Sequence, residues 1–213
     1  MKLLALPFLA VMLVAARPAP DPVAPPLPVA APAEVAADPA NRLILKLSNG
    51  GTVVIQLRPD AAPNHVQRVQ TLVRQHFYDG TIFHRVIPGF MAQGGDPTGT
   101  GEGGSKLPDL KAEFNSLSHL RGTVAAARTA DSPDTANSQF YIMLAPNSSL
   151  DGQYTVFGRV ISGMEAVDLI APGQPPANPT KILRASLGDG TPAAAPAPQL
   201  QPESLQQENT PGG

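Results

Sequence analysis

The chain of 213 residues contains no cysteine, which excludes disulfide bonds, a thiolate nucleophile, a cysteine-ligated zinc and an acylated lipobox. It leaves the redox compartment open. Charge of one sign is also scarce. A formal net charge of −2 gives no electrostatic footprint for nucleic acid or an anionic membrane, and neither partner is expected. No Gly-x-Ser-x-Gly elbow and no Gly-Lys-Ser/Thr phosphate loop occurs, so nucleophile and nucleotide chemistry lack their usual scaffolds. Apart from one run at the amino terminus, no apolar stretch approaches membrane length.

That run begins after Lys2, is apolar from residue 3 to 14 except for Pro7, and leads into Val14-Ala15-Ala16. As a helix it would reach only about 20 Å, and its small residues suit a signal peptidase. Residues 1–16 are read as a cleaved secretory signal. The mature protein is then expected to be periplasmic or secreted, without stable membrane insertion. Of 25 prolines, nine stand in residues 1–40 and nine in 172–213. Segments 17–40 and 188–213 are mostly Pro, Ala, Gln and acidic residues, with little apolar surface to offset ordering. They are expected to be disordered flanks of one domain spanning 41–187.

The domain opens with two apolar runs, 42–47 and 52–57, around Asn49-Gly50, which predicts a β-hairpin. Residues 61–77 place Val66, Val69, Leu72, Val73 and Phe77 at helical spacing, with Pro63 in the first turn. His65 and His76 on this helix are expected at the surface or its boundary. Short strands are predicted at 82–87, 90–93, 122–127, 139–143, 155–160 and 181–187, with a second helix at 164–170. Many short strands and two helices favour a closed barrel or a sandwich over a parallel α/β sheet.

Two motifs are decoys. Gly99-Thr100-Gly101-Glu102-Gly103-Gly104 satisfies G-x-G-x-x-G, but Pro108 disfavours the helix that a dinucleotide site needs next. The loop reads better as tight turns beside a groove. Ser138 enters a strand between Asn137 and Gln139, a poor setting for a hydrolase nucleophile.

The informative stretch is Phe83-His84-Arg85-Val86-Ile87-Pro88-Gly89-Phe90-Met91-Ala92-Gln93-Gly94-Gly95-Asp96. Strand alternation over 83–87 would set Phe83, Arg85 and Ile87 on one face, an arginine among apolar neighbours. Such an arginine needs either a structural ion pair or a ligand. Phe90, Met91 and Gln93 add a ring, a thioether and an amide, the makings of an apolar pocket with a polar lip.

This stretch closely resembles the signature of the cyclophilin family. So do residues 122–128, Asn137-Ser138-Gln139-Phe140-Tyr141-Ile142, Leu150-Asp151-Gly152 and Val156-Phe157-Gly158-Arg159-Val160, over the whole of 41–187. The resemblance implies a mainly β fold, a closed eight-stranded antiparallel barrel capped by two α-helices. It also implies peptidyl-prolyl cis-trans isomerase activity on proline-containing polypeptides, assisting protein folding, with no metal or cofactor. A monomer is expected. By position, Arg85 matches the catalytic arginine, with Gln93 orienting it, and Phe90, Met91 and Leu150 match the proline pocket. Gln139 shares the polar rim with Gln93, and Ala127 belongs to the adjoining groove. Tyr141 stands where many members have phenylalanine, Tyr154 replaces a histidine, and Arg128 replaces an asparagine that acts through its backbone. Ser149 stands where many have tryptophan, which implies weak binding of cyclosporin-class inhibitors. The rival readings are a non-catalytic proline-binding chaperone of the same fold and an unrelated hydrolase.

Overall fold

A computed structural model describes residues 26–188. The segments read as a signal, 1–16, and as a carboxy-terminal tail, from residue 189 on, lie outside the described residues. So does 17–25 of the expected linker.

The strands are β1 Arg42–Leu47, β2 Thr52–Leu57, β3 Arg85–Ile87, β4 Met91–Gly94, β5 Thr123–Ala126, β6 Phe140–Met143, β7 Val156–Ser162 and β8 Ile182–Leu187. The helices are α1 Ala33–Ala37, α2 Pro63–Arg74 and α3 Met164–Asp168. All pairings are antiparallel, in the order β3-β4-β6-β5-β7-β2-β1-β8. The sheet curls into a half-barrel. The expected closed barrel is not what the ladder shows, because β3 and β8 do not pair with each other. Among the described residues only the isolated bridge of Ile82 with Lys181, and hydrogen bonds such as Phe83 N–H to the Thr180 carbonyl (3.0 Å), join these two edges. A ladder cannot continue where the chain reaches that edge as single bridged residues.

The interior is filled by alternate residues, Leu43, Leu45 and Leu47 facing Val53, Ile55 and Leu57, as period-two patterning demands. Val66, Val69, Leu72 and Val73 bring one stripe of α2 onto this core. The α2 amino terminus lacks a side-chain cap of its own. Glu113 supplies it from another part of the chain, accepting from the Asn64 and His65 N–H groups at 3.1 and 3.0 Å. The carboxylate also accepts from Asn64 Nδ2 at 2.8 Å and lies 2.6 Å from His65 Nδ1, which explains a departure from expectation: His65 is buried, not superficial. Burial pulls the His65 imidazole below its ordinary pKa, against the opposing pull of Glu113.

Two more expectations are corrected. There are three α-helices among the described residues, and the first lies in the stretch read as a disordered linker. From residue 26 onward that stretch packs on the sheet's outer face. The Val35 carbonyl accepts from Gln56 at 3.3 Å, and the Pro28 and Val29 carbonyls accept from Arg58 at 3.0 and 3.2 Å. Gln56 and Arg58 are both buried; Gln56 Nε2 also reaches the Asn41 and Leu57 carbonyls, whereas the Pro28 and Val29 carbonyls are the acceptors that Arg58 Nη1 finds. Composition could not show this, because the donors stand some twenty to thirty positions further along the chain.

Candidate active site

Strand phase also departs from expectation, and it builds the site. β3 starts at Arg85, so alternation does not extend back to Phe83. Phe83 and Val86 both enter the core, while Arg85 and Ile87 turn to the outer face. Residues paired directly across strands share a face. Arg85 pairs with Gln93, Gln93 with Tyr141, and Tyr141 with Ala125, giving one outward row across four strands. The next row of the same face is Ile87, Met91 and Met143. The intervening row, Val86, Ala92, Ile142 and Val124, points into the core.

Between β3 and β4 the chain reverses through Ile87-Pro88-Gly89-Phe90. The Phe90 N–H donates to the Ile87 carbonyl at 3.0 Å and Gly89 has φ 70°, a type II turn with proline and glycine at their favoured places. This sets Phe90 beside Met91 on the outer face. Leu150 follows from a short 3-10 turn, Ser148–Leu150, and Tyr154 from the chain just after it.

The result is a pocket of about 140 Å³ lined by Arg85, Phe90, Met91, Gln93, Ala127, Arg128, Tyr141, Leu150 and Tyr154. An apolar cavity of about 150 Å³ accepts a benzene ring, so this volume is on the scale of a five-membered ring. The structure therefore brings nine of the ten residues anticipated from sequence into one concavity. The tenth, Gln139, stands one step behind Gln93 and lines the adjoining groove of about 600 Å³.

Arg85 is the polar centre of the pocket. Its Nε donates to Gln174 Oε1 at 3.2 Å and its Nη1 to Gln93 Oε1 at 3.5 Å, with Met91 Sδ 4.0 Å from Nη1. It makes no ion pair with a carboxylate among the described residues. The alternative of a structural ion pair is thereby removed, and donors on Nη1 and Nη2 remain for a ligand. Gln174 was not anticipated. Gly173 exchanges both backbone hydrogen bonds with Val86, at 2.8 and 3.0 Å, and so delivers Gln174 to the edge of β3. Eighty-nine positions separate it from Arg85, and no local motif marks it.

The orientation of Gln93 is inherited from the glycine loop. The Gly101 and Gly103 carbonyls can only accept, and each takes Gln139 Nε2 at 2.8 Å. Gln139 Oε1 then accepts Gln93 Nε2 at 2.9 Å, which leaves Gln93 Oε1 facing the guanidinium. The loop in turn wraps the buried Asp96 carboxylate. That group accepts from the Thr98, Gly101 and Gly103 N–H groups at 2.7, 2.6 and 3.2 Å. Burial raises its pKa, but these donors together outweigh burial and hold it at about 2. A side chain at Gly103 would run into this carboxylate, which is what glycine there avoids. No helix follows the loop, so the dinucleotide reading has no structural support. The hydrolase reading fares no better: Ser138 Oγ is buried and donates to the Gly95 carbonyl at 2.8 Å.

Arg128 closes the opposite wall. Its guanidinium carbon lies 4.6 Å from the Tyr154 ring centre, and it donates to the Gln153 and Thr129 carbonyls. The Tyr141 hydroxyl, the novelty of this wall, meets His119 Nε2 at 3.1 Å. Burial raises its pKa above the ordinary phenol value.

An outward row whose Arg85 guanidinium meets two amides and, among the described residues, no carboxylate, over a ring-sized apolar pocket on a curled antiparallel half-barrel, is the architecture of a prolyl isomerase. Residues 42–187 match the family described as cyclophilin type peptidyl-prolyl cis-trans isomerase/CLD. The chain belongs to that family. A Brucella suis protein named probable peptidyl-prolyl cis-trans isomerase is 49% identical over 168 residues, covering 71% of this chain and 85% of that protein. The Schizosaccharomyces pombe peptidyl-prolyl cis-trans isomerase ppi1 is 42% identical over 142 residues, 63% of this chain and 92% of the relative. Among solved structures, a Cryptosporidium parvum cyclophilin type isomerase crystallised in the presence of the dipeptide Ala-Pro matches with TM-score 0.64 and 28% identity. The match covers 68% of this chain and 98% of that one. The Hirschia baltica cyclophilin AquaCyp293 matches with TM-score 0.67 at 28% identity, covering 72% and 76%.

Proposed function

We propose that this isomerase acts on X-Pro bonds of exported polypeptides, with Arg85 as the group that lowers the rotation barrier. The observation that carries the reading is the guanidinium with no carboxylate partner among the described residues, aimed by two amides over an apolar pocket. An X-Pro bond resists rotation because the nitrogen lone pair is delocalised into the carbonyl, with a barrier of about 18–20 kcal/mol. In the twisted transition state that conjugation is lost and the nitrogen becomes a better acceptor. A donor held in place for that nitrogen and the neighbouring carbonyl oxygen binds the transition state more tightly than either ground state.

Phe90, Met91, Tyr141 and Leu150 grip the pyrrolidine ring while the preceding carbonyl swings. Gln93 and Gln174 hold the guanidinium against that motion. Ala127 and Arg128 line the passage to the adjoining groove, where the chain flanking the proline runs. The direct test is a protease-coupled assay on a prolyl tetrapeptide. Isomerisation no faster than the spontaneous rate would sink the reading.

Export rests on the amino-terminal run and its small residues. Sequencing the mature amino terminus from a periplasmic extract checks it: a start near residue 17 supports export, and an intact Met1 in the cytosolic fraction opposes it. Size-exclusion chromatography with light scattering checks the expected monomer.

Ser149 is exposed and bonded to Asn147 at 2.6 Å, beside the pocket wall rather than in it. A tryptophan there would extend the apolar rim. Ser149→Trp is expected to tighten cyclosporin binding about tenfold, an aromatic contact's worth of affinity. Isothermal titration of the two proteins measures it, and equal affinities would count against this placement of the rim.

A further inference from the structure

Tyr141 places a phenol in a wall that needs only an apolar ring, and the structure shows where its hydroxyl goes. His119 is buried behind the pocket, with Nε2 3.1 Å from the phenolic oxygen. On its other side, Asp151 Oδ1 accepts from both the His119 backbone N–H (2.7 Å) and Nδ1 (2.9 Å). Burial raises the Asp151 pKa, but the His119 donors outweigh it and hold the group below its ordinary value, so it is an acceptor only. A neutral His119 therefore carries its proton on Nδ1 and offers Nε2 as an acceptor, and Tyr141 donates to it. The two rings lie nearly parallel, 6.1 Å apart at 19°, and Tyr154 meets both edge-on at 6.4 and 5.8 Å.

Asp151 directly follows the pocket residue Leu150, and His119 follows Leu117, which packs in the cluster beneath the pocket. Three separate stretches of chain thus converge on one hydroxyl. We propose that His119, oriented by Asp151, is a positioning residue for the proline pocket: it binds the Tyr141 hydroxyl and so presents Tyr141 to substrate as an apolar wall. Without it, a buried phenolic O–H has to find another acceptor, and the pocket is the open space beside the ring. The inference rests on Tyr141 contacting the substrate's proline, as proposed above.

His119→Leu is expected to lower kcat/KM for a prolyl tetrapeptide about tenfold through KM, with kcat little changed, because a buried hydroxyl left without its partner weakens ring binding. Removing the hydroxyl removes the need for its partner. The double variant His119→Leu/Tyr141→Phe should therefore match Tyr141→Phe alone in both constants. A structural role for His119 would leave the double variant as impaired as His119→Leu. That outcome, or an unchanged KM in His119→Leu, overturns the proposal. If His119→Leu does not fold, His119→Gln is compared in the same pair of backgrounds, with a smaller KM increase expected and the same restoration required. Failure of the site reading is seen separately, as absent wild-type catalysis or an undiminished rate in Arg85→Ala.

Discussion

Replacing Arg85 by alanine is expected to lower prolyl isomerisation at least about a hundredfold, because one preorganised charged donor is worth about 3–4 kcal/mol at a developing acceptor. The loss should fall on kcat more than on KM. The ring-binding wall is built by other residues, and the guanidinium acts chiefly once the amide has twisted. Stability should change little, since Arg85 is half-exposed and makes no ion pair among the described residues. Arg85→Lys should rescue poorly. The fork donates from Nε to Gln174 and from Nη1 to Gln93 while keeping further donors for substrate, and a single ammonium cannot span those directions. Turnover within a few fold of wild type in the protease-coupled assay, with the protein folded, would remove Arg85 from the mechanism.

Asp96→Ala is expected to act from behind the site, on stability and activity together. It removes the shared acceptor of three part-buried N–H groups, those of Thr98, Gly101 and Gly103. A buried donor left without a partner costs about 1–3 kcal/mol, and these half-buried donors, with Thr98 exposed, recover part of that from water, so a loss of about 2 kcal/mol is expected, readable in urea unfolding. Gly101 and Gly103 are also the residues whose carbonyls orient Gln139, then Gln93, then Arg85. A fall of about tenfold in kcat/KM is expected at a temperature where the variant stays folded, the cost of a loosened guanidinium. Full activity in a destabilised variant would show that the loop does not aim the arginine.

The same carboxylate predicts a pH dependence. Its folded pKa of about 2 lies below the unfolded value near 3.8. The stabilisation is therefore complete above about pH 5 and is lost as pH falls through 4 towards 2, amounting to about 2 kcal/mol. Asp96→Asn should remove that part of the acid-induced loss. Parallel acid unfolding curves for the two proteins would contradict it.

These two residues show how unevenly the site was legible. Arg85, Phe90, Met91 and Gln93 lie within nine positions, so a hairpin period and one turn bring them together, and the family signature names them. Asp96 closes the same stretch, yet nothing local says that its carboxylate organises the loop after it. Gln174 and His119 could not be found at all from spacing. Each reaches the pocket through a crossing of distant chain, Gln174 by the Gly173–Val86 bridge and His119 by the carboxylate of Asp151. Phe83 marks a subtler limit: one irregular residue before β3 was enough to put it on the opposite face from the one alternation assigned.

By itself the sequence determined which segments become strands and which helix stripe is apolar, because both follow from periodicities of two and 3.6 along neighbouring residues. It also determined the chemistry on offer, with no thiol and an arginine set among a ring, a thioether and an amide. Tertiary structure alone decided what that arginine meets, why the sheet stays open at its seam, and that residues from 26 onward belong to the folded body. Each of those depends on a donor finding its acceptor far along the chain, and hydrogen-bond partners, unlike apolar periods, leave no mark on the residues beside them.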